Sequence, residues 1–212
     1  MRQQTHSPNA DCSLCPRLLD FRNENRSRFP DWHNGPVSSF GNAEAALLIV
    51  GLAPGLKGAN RTGRPFTGDV AGDLLYPTLI HFGLARGTFA AEADDGLQLE
   101  NCRITNAVRC VPPQNKVTGP ETASCRPFLT AEIHMMKNLK IVLALGGVAH
   151  GAVLASLGEK KSAFPFIHGA RHQLPNGLTL ADSYHCSRYN TNTGRLTEKM
   201  FHQVFQDVVS SL

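Results

Sequence analysis

The chain alternates between short apolar runs and longer stretches in which apolar residues recur every three or four positions. Four runs, 46–50, 102–108, 140–145 and 178–183, have the length and branched composition of buried strands. Helical patterns follow them at 70–82, 121–138, from Gly146-Gly147 to about 157, and 196–209. Asp69 stands where the first of these helices needs an N-cap. This alternation predicts a three-layer α/β/α fold with a central four-stranded parallel sheet covered on both faces. Ahead of the first strand, 16–25 reads as a short helix, and 26–46, with Pro30, Gly35, Pro36 and Gly41, as a long connection carrying Trp32. Residues 159–177 read as a small hairpin or loop. The length of 212 residues suits one domain, 1–212, with an N-terminal extension.

Such a fold places its ligand site beyond the carboxyl ends of the parallel strands. Four polar segments meet there, 51–69, 106–116, 146–150 and 185–195, and they contain Asp69, Asn106, His185 and Ser187. The first extends the apolar run from Leu47 through LLIVGLAPGLKGANRTGRPFTGD, a loop with Gly51, Gly55, Gly58, Gly63 and Gly68 and the cations Arg61 and Arg64. It has the look of a phosphate cradle, yet Lys57 is followed by Gly58 and Ala59 instead of the Ser or Thr of a P-loop, and the three-glycine dinucleotide fingerprint is missing.

Charge and cysteine usage then narrow the chemistry. A formal charge of +4, with arginines grouped at 17–28, 61–64 and 188–195, permits a polyanionic partner without requiring one. No apolar run approaches the roughly 20 residues of a membrane span. The segment MRQQTHSPNADC lacks the apolar stretch of an export leader, so a cytoplasmic location is expected. In that reducing setting six cysteines are not read as three disulfides. Cys12 and Cys15 form a CxxC, and Cys110 and Cys125 flank a loop rich in turn formers. Two remote pairs that converge would make a four-thiolate site for zinc or an iron–sulfur cluster, with Cys102 and Cys186 left as free thiols.

Taken together, GLAPG, NRTGRPFTGD, TNAVRCVPP and a His-x-Ser loop running into NTNTGRLT resemble the uracil-DNA glycosylase superfamily, and most closely its family 5, the B-type prokaryotic glycosylases. The resemblance covers about Cys12 to Leu196. It implies a 4Fe-4S cluster held by Cys12, Cys15, Cys110 and Cys125. It also implies hydrolysis of the N-glycosidic bond of uracil in DNA as the opening step of base excision repair, with hypoxanthine and xanthine as further bases. The partner would be DNA containing deaminated bases, and a monomer is expected.

Chemistry assigns roles at the matching positions. The Asn106 amide both donates and accepts, as the edge of uracil requires, although an asparagine after a strand also suits a turn. Phe66 offers a face for a flat base, unless it packs in the core. Gly51 permits close approach, and the backbone at Ala53 is placed to donate to a base carbonyl. His185 is expected to donate to the departing base and Asp69 to hold the attacking water and steady a cation-like sugar, besides capping its helix. Arg61, Arg64, Ser187 and Arg188 are expected at the DNA backbone, with Tyr189 as a wedge filling the space of a flipped base. Two positions depart from the pattern. Ala53 stands where other branches carry Asp or Asn, which leaves Asp69 as the water-activating group. Cys186 replaces the proline of His-Pro-Ser, removing a conformational lock. The competing readings are a non-catalytic metal-containing nucleic-acid-binding module and a phosphate-binding hydrolase.

Overall fold

The computed structural model describes residues 7–212. Residues 1–6, which open both the N-terminal extension and the segment read as lacking an export leader, lie outside the described residues. The elements in chain order are α1 (Pro16–Arg28), β1 (Phe40–Gly41), β2 (Leu47–Gly51), α2 (Ala59–Thr62), α3 (Val70–His81), β3 (Ala85–Arg86), β4 (Gln98–Leu99), β5 (Cys102–Asn106), α4 (Gly119–Met135), β6 (Ile141–Leu145), α5 (Gly147–Ser156), β7 (Arg171–Gln173), β8 (Thr179–Ser183), α6 (Arg188–Asn192) and α7 (Glu198–Val209). Among the described residues no helix is long and apolar enough to cross a membrane.

The main sheet has six strands in the order β1-β5-β2-β6-β8-β7, where four were expected. The inner four are the predicted parallel set, in register Leu47↔Cys102, Leu47↔Ile141 and Ile141↔Thr179. The additional two are antiparallel edge strands, Phe40 pairing with Ile104 and Arg171 with Ala181. Each is only two or three residues long and exposed or half-buried, so neither leaves an apolar alternation to read.

Alternation within the inner strands sends side chains to two cores. Leu47, Ile49, Ile104 and Leu143 meet α3 and α7 on one face through Leu75, Leu79, Phe201 and Phe205. Leu48, Val50, Val142 and Leu180 meet α4 and α5 on the other through Leu129, Ile133, Val153 and Leu154. β2 and β6 are buried on both faces, which is why each reads as an unbroken apolar run. A third, small cluster joins Leu18 of α1 to Val108, Cys110 and Cys125.

The order places β5 on one side of β2 and β6, β8 on the other, so successive strands are added in opposite directions across the sheet from β2 and from β6. The crevice at the carboxyl ends of those two strands is a topological switch point, where open α/β sheets bind ligands.

Candidate active site

A cleft of about 640 Å³ opens at that switch point, a size typical of small-molecule sites. Its walls are Leu52 to Gly55 after β2, Asp69 to Ala71 entering α3, Leu145 to Val148 between β6 and α5, and His185 with Ser187 to Tyr189 after β8. The segment 106–116 contributes Pro112 and Asn115. All four polar segments therefore meet.

The loop after β2 is held by the connection that precedes the sheet. The Asn60 side chain donates to Asn34 Oδ1 at 2.9 Å, and the backbone amides of His33 and Asn34 donate to the carbonyls of Arg61 and Asn60 at 2.9 and 3.0 Å. Phe66 sits in this loop with φ +57°, the left-handed region that a bulky residue seldom enters. Its carbonyl presses on Gly72, where any side chain would collide. Its ring edge reaches Gly51, at which an added Cβ would lie 2.6 Å from Cζ and also strike the Asn106 Oδ1. Gly51 is thus the point at which Phe66 and Asn106 close in together. Phe66 faces His185 in a stacked arrangement, centroids 5.9 Å apart and planes 26° from parallel. Asn106 is 3% exposed, and neither it nor Phe66 lines the cleft itself.

Asp69 caps α3, accepting from the Gly72 amide at 3.1 Å, and its second oxygen packs against Gly55 and Gly58. Burial raises its pKa above the ordinary carboxylate value, against the pull of the Gly72 and Ala71 amides and of Arg188. His185 responds to desolvation in the opposite sense, its pKa falling to about 4. It is therefore a neutral imidazole near pH 7. Its Nδ1 is buried without a protein partner, and its carbonyl is fixed by Asn190 Nδ2 at 2.8 Å. One wall of the cleft thus offers a carboxylate and another an uncharged ring able to donate one N–H.

The arginines divide. Arg188 is exposed at the cleft edge, and Ser187 caps α6 by accepting from the Asn190 amide. Tyr189 projects at the mouth with 71% of its surface exposed. Arg61 forms an ion pair with Glu92 at 2.8 Å. Arg64 is not at the surface, contrary to its expected place on the DNA backbone. It is 4% exposed, makes two 2.7 Å bonds to Asp95, and lies over the rings of Phe40, Tyr76 and Phe89. That pairing holds the Asp95 carboxyl well below the usual range.

Sequence reading passed over two further cleft residues. Val148 is an exposed apolar side chain in the first turn of α5, and Asn115 has φ +56° in the turn after Pro113. A hydrophobe directly after Gly146-Gly147 at a strand end was the available signal for the first; nothing marked the second.

Cys12, Cys15, Cys110 and Cys125 line one small cavity together with Leu18, Arg22 and Phe128. The sulfurs converge without crowding, since no three of them lie within 4.8 Å of one another. Tetrahedral zinc, with Zn–S of ~2.3 Å, would require sulfur–sulfur distances of ~3.8 Å. That is not the compact spacing of a single tetrahedral zinc. His150, His172 and Asp182 also gather, but His150 Nδ1 and Asp182 Oδ1 are 2.7 Å apart and His172 Nε2 and Asp182 Oδ2 3.2 Å. Those are direct hydrogen-bond separations, and the other His150 nitrogen donates to the Phe164 carbonyl at 2.8 Å. The trio staples 164–170 to β8 and α5.

Comparison with known proteins places this geometry. Residues 38–209 match the family profile of the Uracil DNA glycosylase superfamily. The chain belongs to that superfamily. It is 46% identical over 202 residues to the type-5 uracil-DNA glycosylase of Thermus thermophilus, covering 92% of this chain and 91% of that protein. The type-5 uracil-DNA glycosylase of Mycobacterium leprae is 44% identical over 204 residues, with 92% and 89% covered. That of Pyrobaculum aerophilum is 37% identical over 202 residues, with 92% and 87% covered. Within the superfamily these relatives place the chain in the type-5 group, as the motifs around the first loop imply.

Proposed function

We propose that the protein is a DNA glycosylase that hydrolyses the N-glycosidic bond of uracil in DNA, leaving an abasic site. The observation that carries this is the meeting, at one switch-point cleft, of a neutral histidine and a partly desolvated carboxylate, with Phe66 stacked on that histidine and Asn106 beside Phe66 at Gly51.

The roles follow from charge. Bond cleavage makes the sugar cation-like and the base anionic, so catalysis requires opposite electrostatics on two sides of one bond. The His185 N–H donates to the departing base; a neutral donor does this without first surrendering a proton. Asp69 orients water and stabilises the sugar cation, its rotamer fixed by its cap to Gly72. Asn106 reads the base edge and Phe66 stacks on its face, and Gly51, having no side chain, lets the two approach each other. Ser187 and Arg188 meet the backbone and Tyr189 fills the vacated stack.

The four cysteines hold a 4Fe-4S cluster, whose contribution is structural: it ties the N-terminal extension to α4 and to the loop after β5. Hypoxanthine and xanthine are accepted beside uracil, and the protein acts as a monomer in the cytoplasm. The test uses oligonucleotides carrying single uracil, hypoxanthine or xanthine, followed by alkaline cleavage of abasic sites. Strand scission at each modified base is expected. Binding without scission would favour the non-catalytic binding module.

A further inference from the structure

Three arginines are buried among the described residues: Arg22, Arg64 and Arg109. Arg64 meets Asp95, and Arg109 meets Glu132, itself shared with Arg103. Arg22, 1% exposed, pairs with no carboxylate among the described residues. Its Nη2 donates to the Cys12 carbonyl at 2.9 Å, its Nη1 reaches the Cys110 sulfur at 3.7 Å, and its Nε is buried with no partner. A permanently charged guanidinium left uncompensated in the interior is strongly destabilising. The fold nevertheless builds one in. It rises from the helix that begins directly after Cys15, one turn beyond the buried Leu18, and lines the cavity of the four cysteines.

We propose that Arg22 is the counter-ion of the thiolate-bound group, a positioning residue whose charge balances that of the iron–sulfur cluster. The inference rests on the cluster reading above. Metal binding deprotonates the four thiols, and a cubane held by four thiolates carries net negative charge. The guanidinium, itself 1% exposed, offsets that charge from the buried side of the site. Two consequences follow. The cluster is retained more firmly, and its reduction, which adds a further negative charge, is favoured. Leu18 at one turn and Arg22 at the next put a cation in the apolar register of α1, which is the only trace of this role in the sequence.

The test compares wild-type holoprotein, purified without oxygen, with Arg22→Lys, Arg22→Gln and Arg22→Met. Iron and acid-labile sulfide content, absorbance near ~400 nm, iron release to a ferrous chelator and the midpoint potential are measured. Arg22→Gln and Arg22→Met are expected to release iron at least ~10-fold faster. Their one-electron reduction equilibrium should shift at least ~10-fold toward the oxidised state, about 59 mV. Arg22→Lys should stay near the wild type in both readouts. Uncharged variants that match the wild type in both would overturn the proposal. Should those variants fail to hold a cluster at all, Arg22→Lys decides: retention supports the charge role, and loss overturns it. Wild-type protein containing zinc and no sulfide is a separate result, which overturns the cluster reading and this inference with it.

Discussion

Asp69→Asn separates chemistry from structure at one position. The Asp69 carboxylate caps α3 through the Gly72 amide at 3.1 Å, and Asn is as good an N-cap as Asp, so the cap bond survives. The charge does not. Burial raises the Asp69 pKa, which means the folded state holds its proton more tightly than the unfolded chain does. The stability gained from the neutral carboxyl is therefore fully present below the unfolded pKa and lost as pH rises through the higher folded one. At neutral pH the ionised group is a cost that Asn removes, against a loss of ~0.3–1 kcal/mol of interaction with the helix dipole. The variant should melt within ~1 kcal/mol of the wild type by these opposing effects. Its single-turnover uracil excision should fall by at least ~10-fold, the lower bound for losing a general base. The wild-type rate should also show an acid limb that rises at a pH above the ordinary carboxylate value, and the variant should lack it. Asp69→Ala, which loses the cap as well, should cost a further ~1 kcal/mol of stability. The assay is excision from a uracil-containing duplex with enzyme in excess, across pH, with folding checked by thermal melts. Wild-type rates in a folded Asp69→Asn protein would refute the reasoning.

Further predictions concern the charges and the mouth of the cleft. Arg64→Met leaves Asp95 buried without its partner and should cost ~3–5 kcal/mol, while the salt dependence of DNA binding keeps its slope; a flattened slope with unchanged stability would restore Arg64 to the DNA surface. Arg188→Ala should do the reverse, reducing that slope by about 1 with little effect on melting. Tyr189→Ala should slow excision from duplex more than from single strands, because only the duplex has a stack to fill; equal slowing would argue against a wedge. Asp182→Asn weakens the staple to His150 and His172 and should lower the melting temperature; an unchanged melt would show that the trio does not fix 164–170.

The sequence alone determined the parallel sheet and the position of its site. Burial on both faces favours apolar residues throughout a strand, and Leu47–Gly51 and Ile141–Leu145 declare themselves for that reason. The caps are equally local, so Asp69 could be read at the start of its helix. Edge strands such as Phe40–Gly41 depend on pairing with a distant neighbour, and only the folded sheet supplies it. Charge partners are the other matter settled by tertiary structure. Arg61, Arg64 and Arg188 are equivalent letters in a basic sequence, but Glu92 engages the first, Asp95 and three aromatic rings bury the second, and the third stays exposed beside the cleft. Arg22 shows the same limit: its meaning depends on sulfur from Cys110, 88 residues away. Hydrophobic burial leaves a periodic trace along the chain, whereas the partners of a charge are set by proximity in space and leave no such period.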